Sequence, residues 1–81
     1  MENRVSIIGI IVENMDSVDK LNDLLHEYGS YIIGRMGVPY AAKNLNVISI
    51  VLDAPVDIIN SLSGKIGMLD GITSKAVCST K

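Results

Sequence analysis

Residue types that build metal sites, disulfides and stacking platforms are scarce in this sequence of 81 residues, which has one cysteine, one histidine, three tyrosines, no tryptophan and no phenylalanine. The single cysteine, Cys78, excludes an internal disulfide and zinc sites built on several thiolates, and it suits a reducing compartment. Three aromatic side chains are too few for a base-stacking RNA-binding surface. The sequence therefore predicts no metal, no cofactor and a cytoplasmic location.

Charge and long apolar runs are also limited. Seven basic and nine acidic side chains give a net charge of −2 with no basic cluster, which argues against direct nucleic-acid binding because that depends on Lys and Arg at phosphates. The longest apolar runs, residues 7–12 and 47–52, are far shorter than the about 20 residues of a membrane helix. The N-terminus lacks a signal-peptide cleavage site, so we expect no membrane association.

What the sequence does contain is apolar side chains. The hydrophobic fraction is 48%, the charged fraction is 20% and the mean hydropathy is +0.37. A chain of this composition buries its surface rather than remaining disordered. Its length allows one domain, residues 1–81, because a second domain needs roughly another 50 residues.

Periodicity and turn residues predict six elements. The β-branched run at residues 4–13 predicts a strand, and Asp16 or Ser17 begins a helix that stops at Gly29. A second strand is predicted at residues 31–37 and ends at residues 38–40. A third strand is predicted at residues 46–52 and ends at residues 53–55. A second helix runs from Val56 to Gly67, and after a turn at residues 70–71 the last strand covers residues 72–79. Each helix has one apolar stripe: Val18, Leu21, Leu24, Leu25 and Tyr28 in the first, and Ile58, Ile59, Leu62, Ile66 and Leu69 in the second.

The order βαββαβ predicts an α+β, ferredoxin-like fold, in which two helices cover one face of a four-stranded antiparallel sheet. The other face should then be polar in a monomer, yet the first and third strands are apolar on both sides. We expect Ile8, Ile10 and Val12 to lie on the outer face. An apolar outer face predicts association, as a homodimer or a dimer of dimers.

Catalytic arrangements find no support in the residue pattern. His26 lies on the polar side of the first helix with Asp19 and Asp23, which a solvated helix face explains. Cys78 has no histidine near it in sequence, and residues 64–67 lack the upstream glycine and the strand–helix context of a phosphate-binding loop. We expect the protein not to be an enzyme.

Glycines on the second strand and second helix are more informative. Gly34 and Gly37 flank Arg35 and weaken a strand unless they mark bulges or the close approach of a partner or ligand. A glycine in a helix interior lowers stability by about 1 kcal/mol relative to alanine. At Gly64, either close contact with a neighbouring subunit offsets this loss or the helix end is frayed. An arginine on a strand between two glycines is exposed for bidentate pairing with a carboxylate or phosphate, or for a salt bridge between subunits.

Two segments, IIGRMGVPY at residues 32–40 and LSGKIG at residues 62–67, resemble the signature stretches of the small iron-only hydrogenase system regulators, and the resemblance covers essentially the whole chain. It implies a ferredoxin-like domain related to ACT domains and to the metal-sensing domain of nickel-responsive regulators. It further implies a regulatory role in bacteria or archaea that handle iron-only hydrogenase.

Differences from nickel-responsive regulators and from ACT domains argue against binding of the ligands of those two groups, nickel and amino acids. The predicted strands carry no histidine and residues 56–59 no cysteine, so nickel sensing in the relatives' manner is not expected. Residues 14–17 lack the glycine that amino-acid-binding ACT domains place after the first strand. Without a ribbon-helix-helix segment, regulation of transcription would need DNA binding by another protein.

Two functions of different class follow. One is an oligomeric module that senses a small effector or a separate regulatory protein through the second strand and second helix, with charge from Arg35 and Lys65. The other is a structural module that docks another polypeptide on its apolar sheet face. The candidate ligand- or partner-binding residues are Gly34, Arg35, Met36, Gly37, Pro39, Tyr40, Gly64, Lys65 and Gly67.

Overall fold

Four strands and two α-helices make up the fold in the computed structural model, which describes residues 2–80. The elements are β1 (Asn3–Val12), α1 (Val18–Glu27), β2 (Ile32–Tyr40), β3 (Leu45–Pro55), α2 (Val56–Gly67) and β4 (Ile72–Cys78). The strands form one antiparallel sheet in the order β2-β3-β1-β4. The predicted ferredoxin-like fold is therefore confirmed. Within residues 2–80, no helix has the length and apolar character needed to cross a membrane.

The core lies between the helices and one face of the sheet. Leu21 and Leu25 from α1 and Ile59, Leu62 and Ile66 from α2 are buried, as the two predicted stripes require. They pack on inward-facing side chains of the central strands, which include Ile8, Ile10, Val12, Ile48, Ile50 and Leu52. Full burial of such a side chain stabilises the fold by about 1.5–3 kcal/mol, so this layer is the main source of stability.

The prediction that Ile8, Ile10 and Val12 lie on the outer face is wrong. Ile8 is 0% exposed and faces the helices, whereas its neighbour Ile7 is 47% exposed on the outer face. Alternation groups the side chains of a strand into two sets but does not say which set faces the core when both are apolar. The pairing of β1 with β3 and β4 under the two helices decides the choice.

Two strands are longer than predicted. The expected end of the second strand at residues 38–40 is wrong, because β2 continues through Pro39 to Tyr40 and pairs with β3. Pro39 is tolerated since β2 is an edge strand, where a missing N–H is not needed on the outer side. The expected break at residues 53–55 is also wrong, because β1 already begins at Asn3 and supplies a partner for every residue up to Pro55.

The loop before α1 is fastened to the turn before β4. Gly71 has φ +68°, and its carbonyl accepts a hydrogen bond from the Glu13 N–H at 2.7 Å. The Ser17 hydroxyl donates to the Asp70 carbonyl at 2.6 Å, and the Asn14 side-chain amide donates to the Asp70 carboxylate at 2.8 Å. These hydrogen bonds fix the N-terminal end of α1, and they therefore also fix the position of the side chains on α1 that face β2.

Candidate functional site

Arg35 lies on the helix-facing side of β2, opposite Ile50 of β3. It is nevertheless exposed, because the helices do not cover this edge of the sheet. Its guanidinium donates one hydrogen bond, from Nη2 to Oδ1 of Asn22 on α1, at 3.1 Å. Asn22 is the one hydrogen-bonding partner of Arg35 among residues 2–80, so most of the five N–H donors of the guanidinium remain available to a ligand.

Two cavities meet at Arg35 along the groove between α1 and β2. The first, of about 560 Å³, is called the polar cavity because Asp23 and His26 line it, together with Asn22, Leu25, Gly29, Ile32 and Arg35. The second, of about 270 Å³, is called the apolar cavity because Val18, Pro39 and Ile48 line it without an acidic side chain, together with Asn22, Arg35, Gly37, Val38 and Asn46. Arg35 and Asn22 belong to both, so the guanidinium lies where a polar and an apolar compartment join.

The α1 side of the groove was missed by sequence reasoning. Val18, Asn22 and His26 line it, and their spacing of four residues places them along one ridge of the helix. His26 was interpreted as part of a solvated face, and it is exposed. The i, i+4, i+8 spacing was a usable signal, but the sequence contained nothing to show that this ridge runs beside β2.

The candidate residues of β2 divide between the two faces of the sheet. Arg35, Gly37 and Pro39 lie on the side of the groove, and they pair with inward-facing positions of β3. Gly34, Met36 and Tyr40 lie on the outer face by strand alternation, where Met36 is 64% exposed. The register shifts between Ile32 and Gly34, which agrees with the bulge interpretation of Gly34.

Lys65 does not share the site of Arg35. Its ammonium donates to the Tyr28 hydroxyl at 2.8 Å and lies 5.1 Å from the ring centroid. It lines a separate cleft of about 390 Å³ between the helices, together with Lys20, Asp23, Leu24, Glu27, Met68 and Leu69. The two clefts flank opposite sides of α1. The structure therefore does not bring Arg35 and Lys65 into one site within the subunit.

The Tyr28–Lys65 contact shifts the proton affinity of both groups. The hydrogen bond from Lys65, then that with Ser61, lowers the pKa of Tyr28 below its ordinary value of 10.0. The same hydrogen bond from Lys65 to Tyr28 raises the pKa of Lys65 above 10.5. This contact occupies Lys65 in joining α1 to α2, so the lysine is less available than Arg35 to a ligand.

The two glycines of α2 have different surroundings. Beyond its own helix turn, a Cβ at Gly64 would have no atom of residues 2–80 within 4 Å, whereas one at Gly67 would meet the Ser74 hydroxyl oxygen at 3.5 Å. Gly67 thus lies against β4, and Gly64 faces open space. Neither glycine lines the groove of Arg35.

The outer face of the sheet exposes a continuous set of apolar side chains. Those most exposed in this set, between 39% and 70%, are Val5, Ile7, Met36, Val38, Tyr40, Val47 and Val77. Asp53 of β3 and Lys75 of β4 are its charged members. No helix covers this face, because both helices lie on the opposite side of the sheet.

Metal-ligating residue types remain dispersed. His26 lies on α1 and Cys78 on β4. Among residues 2–80 there is no group of three or more His, Cys, Asp or Glu side chains that could hold a metal ion. A transition-metal site needs three or four converging ligands, and residues 2–80 bring no such set together.

Comparisons with known proteins place this arrangement in a family. Residues 4–76 match the TM1266-like family, described as "Iron-only hydrogenase system regulator, putative". The structure of the uncharacterized protein TM1266 from Thermotoga maritima superposes with a TM-score of 0.91 at 35% identity, over 95% of this chain and 98% of that one. No curated protein matches the chain significantly.

A more distant likeness concerns the fold alone. A formyltetrahydrofolate deformylase from Pseudomonas putida KT2440 matches with a TM-score of 0.68 at 11% identity, over 95% of this chain and 29% of that one. The match to TM1266 extends over nearly the full length of both chains and agrees with the family match. The chain therefore belongs to the TM1266-like family, whose members are described as regulators of the iron-only hydrogenase system.

Proposed function

We propose that the protein is a non-enzymatic, homo-oligomeric regulatory domain of the iron-only hydrogenase system that binds a small anionic effector at Arg35. The observation that carries this proposal is the position of the guanidinium. It lies at the junction of two cavities, with Asn22 as its hydrogen-bonding partner. A delocalised cation with free, planar donors favours bidentate binding of a carboxylate or phosphate.

The composition of the groove supports binding rather than catalysis. Its titratable members are Asp23, His26 and Arg35. The lining of the two cavities contains no serine, cysteine, threonine or lysine for a base to activate as a nucleophile, and its Asp23 and His26 are both exposed. Binding at the surface of the domain is the function that these side chains favour.

Oligomerisation is supported by the outer sheet face. Seven side chains there are large, apolar and well exposed, which in a small protein indicates an association surface. The face carries one acid, Asp53, and one base, Lys75, so its charge is balanced against a second copy of itself. We therefore propose a second copy of this chain as its occupant, in a symmetric assembly.

A second candidate function rests on the same face. If another polypeptide covered it, the protein would be a structural docking module and Arg35 would have no ligand-dependent role. The two functions differ in oligomeric state, because self-association buries the face without a partner. They also differ in whether a small anion changes the stability of the protein.

The test combines native mass spectrometry of protein taken from its host with thermal unfolding in the presence of small carboxylates and phosphate. We expect a homo-oligomer whose unfolding temperature rises with anion concentration, and loss of that rise in Arg35→Gln. Lys20→Gln is the matched control, since it removes a cation from the other side of α1. A monomer isolated with a second polypeptide, and unaffected by anions, would support the docking module instead.

A further inference from the structure

We propose that the effector is a small monocarboxylate with a short apolar tail, held with its carboxylate on Arg35 and its tail in the apolar cavity between α1 and β2. This inference rests on the proposed function, because it requires Arg35 to hold an anion. It adds the chemical class and the orientation of the ligand. Both follow from the different walls of the two cavities that meet at the guanidinium.

The charge of the groove favours one negative charge on the ligand. Asp23 lines the polar cavity, so a second anionic group placed in that cavity meets a like charge. Arg35 is exposed, and a single guanidinium matches a single carboxylate in both charge and geometry. A phosphate, with close to two charges at neutral pH, carries a second charge that one guanidinium does not neutralise.

The walls also decide where the rest of the ligand lies. The apolar cavity contains Val18, Pro39 and Ile48 and no acidic side chain, whereas the polar cavity contains Asp23 and His26. An alkyl group leaves water most favourably against the apolar wall. The cavity of about 270 Å³ has room for a short alkyl tail.

Gly37 keeps the apolar cavity open. A Cβ built at Gly37 would have the Ile48 Cγ1 atom as its near neighbour, at 4.0 Å, which is ordinary contact distance. A Cβ is therefore accommodated at ordinary contact distance, and the γ-methyl groups of a valine would reach the space assigned to the tail. Valine also suits a strand better than glycine does, so Gly37→Val should narrow the cavity while β2 is kept.

The experiment is a heteronuclear NMR titration of the full chain with acetate, butanoate and hexanoate, and with hexanol, hexylamine and hexyl phosphate as matched probes. We expect affinity to rise about fourfold for each methylene added, until the cavity is full. Hexanoate should bind more tightly than hexanol, hexylamine and hexyl phosphate. Arg35→Gln should weaken hexanoate by about tenfold or more, since a hydrogen-bonded charge is lost.

Two glycine variants of β2 distinguish binding of the apolar tail from binding of the carboxylate. In Gly37→Val, hexanoate should bind no more tightly than acetate binds to the same variant. Gly34→Ala, on the opposite face of the same strand, should leave the whole series unchanged. If anions bind at Arg35 with no dependence on tail length, or if hexyl phosphate binds more tightly than hexanoate, this inference is wrong and the proposed function stands. If no anion shifts signals from the groove, both fail.

Discussion

The Lys65 ammonium donates a 2.8 Å hydrogen bond to the Tyr28 hydroxyl and joins the C-terminal end of α1 to α2. Tyr28 is otherwise buried, at 8% exposure, so the contact lies where its hydroxyl reaches the surface beside Ser61. A lysine that the sequence suggested as a ligand-binding group is thus held between the two helices. This relationship gives the first prediction, because it changes the titration of a tyrosine.

Ultraviolet titration should show one of the three tyrosines ionising below the ordinary pKa of 10.0. Hydrogen bonding from Lys65 lowers the pKa of Tyr28, and Lys65→Met should return it towards that value. With Lys65 in place, the folded chain releases the Tyr28 proton at a lower pH than the unfolded chain does. The free energy of unfolding of the unmodified protein therefore rises with pH between the lowered pKa and 10.0. Loss of the Lys65 proton, whose pKa is raised, removes stability only above pH 10.5. A Tyr28→Phe variant that leaves the early titration in place would contradict the assignment.

Gly71→Ala should lower the free energy of unfolding by about 1–3 kcal/mol. Gly71 has φ +68°, and an added Cβ would come within 2.5 Å of the Asn14 Cβ. The matched control is Gly64→Ala, which has nothing within 4 Å of its added Cβ. That change should raise the stability by about 1 kcal/mol, since alanine is the better helix former. Chemical denaturation measures both, and a stabilised Gly71→Ala would contradict the tight turn.

Two buried serines should respond in opposite directions to replacement by alanine. The Ser6 hydroxyl is buried and has no hydrogen-bond partner among residues 2–80. Its removal should leave stability unchanged or raise it by about 1 kcal/mol, because a desolvated polar group is lost. Ser17→Ala should instead cost about 1 kcal/mol, since it removes the 2.6 Å bond to the Asp70 carbonyl. Equal losses of stability in urea would show that Ser6 has a partner.

The two faces of β1 can be separated by neighbouring substitutions. Ile7→Lys places a charge on the outer face, where Ile7 is 47% exposed, and should dissociate the proposed oligomer while leaving the fold intact. Ile8→Lys buries an unpaired charge at a fully buried position and should unfold the protein. Light scattering and circular dichroism distinguish these outcomes. An intact oligomer in Ile7→Lys would show that the outer face is not the association surface.

Local residue types singled out the β2 side of the candidate site but not its α1 side. Arg35 between two glycines was sufficient to single out β2, because glycine beside an exposed guanidinium leaves space that larger residues would fill. Asn22 and His26 were not selected, since a polar residue on an amphipathic helix has many explanations when the neighbour of that helix is unknown. Lys65 was grouped with Arg35 because both lie in family-like motifs, and α1 separates them in space.

Periodicity and turn chemistry in the chain were enough for the order of elements and both helix stripes, because these depend on residues close in sequence. The order of elements in turn predicted the ferredoxin-like fold. The face of β1 that meets the helices, the length of β2 and β3, and the partners of Arg35 and Lys65 depended on pairing between distant segments. Ile7 and Ile8 are the same residue type in adjacent positions, so no local property distinguishes them. Only the register of β1 against β3 and β4, and the side on which the helices pack, buries one and leaves the other exposed.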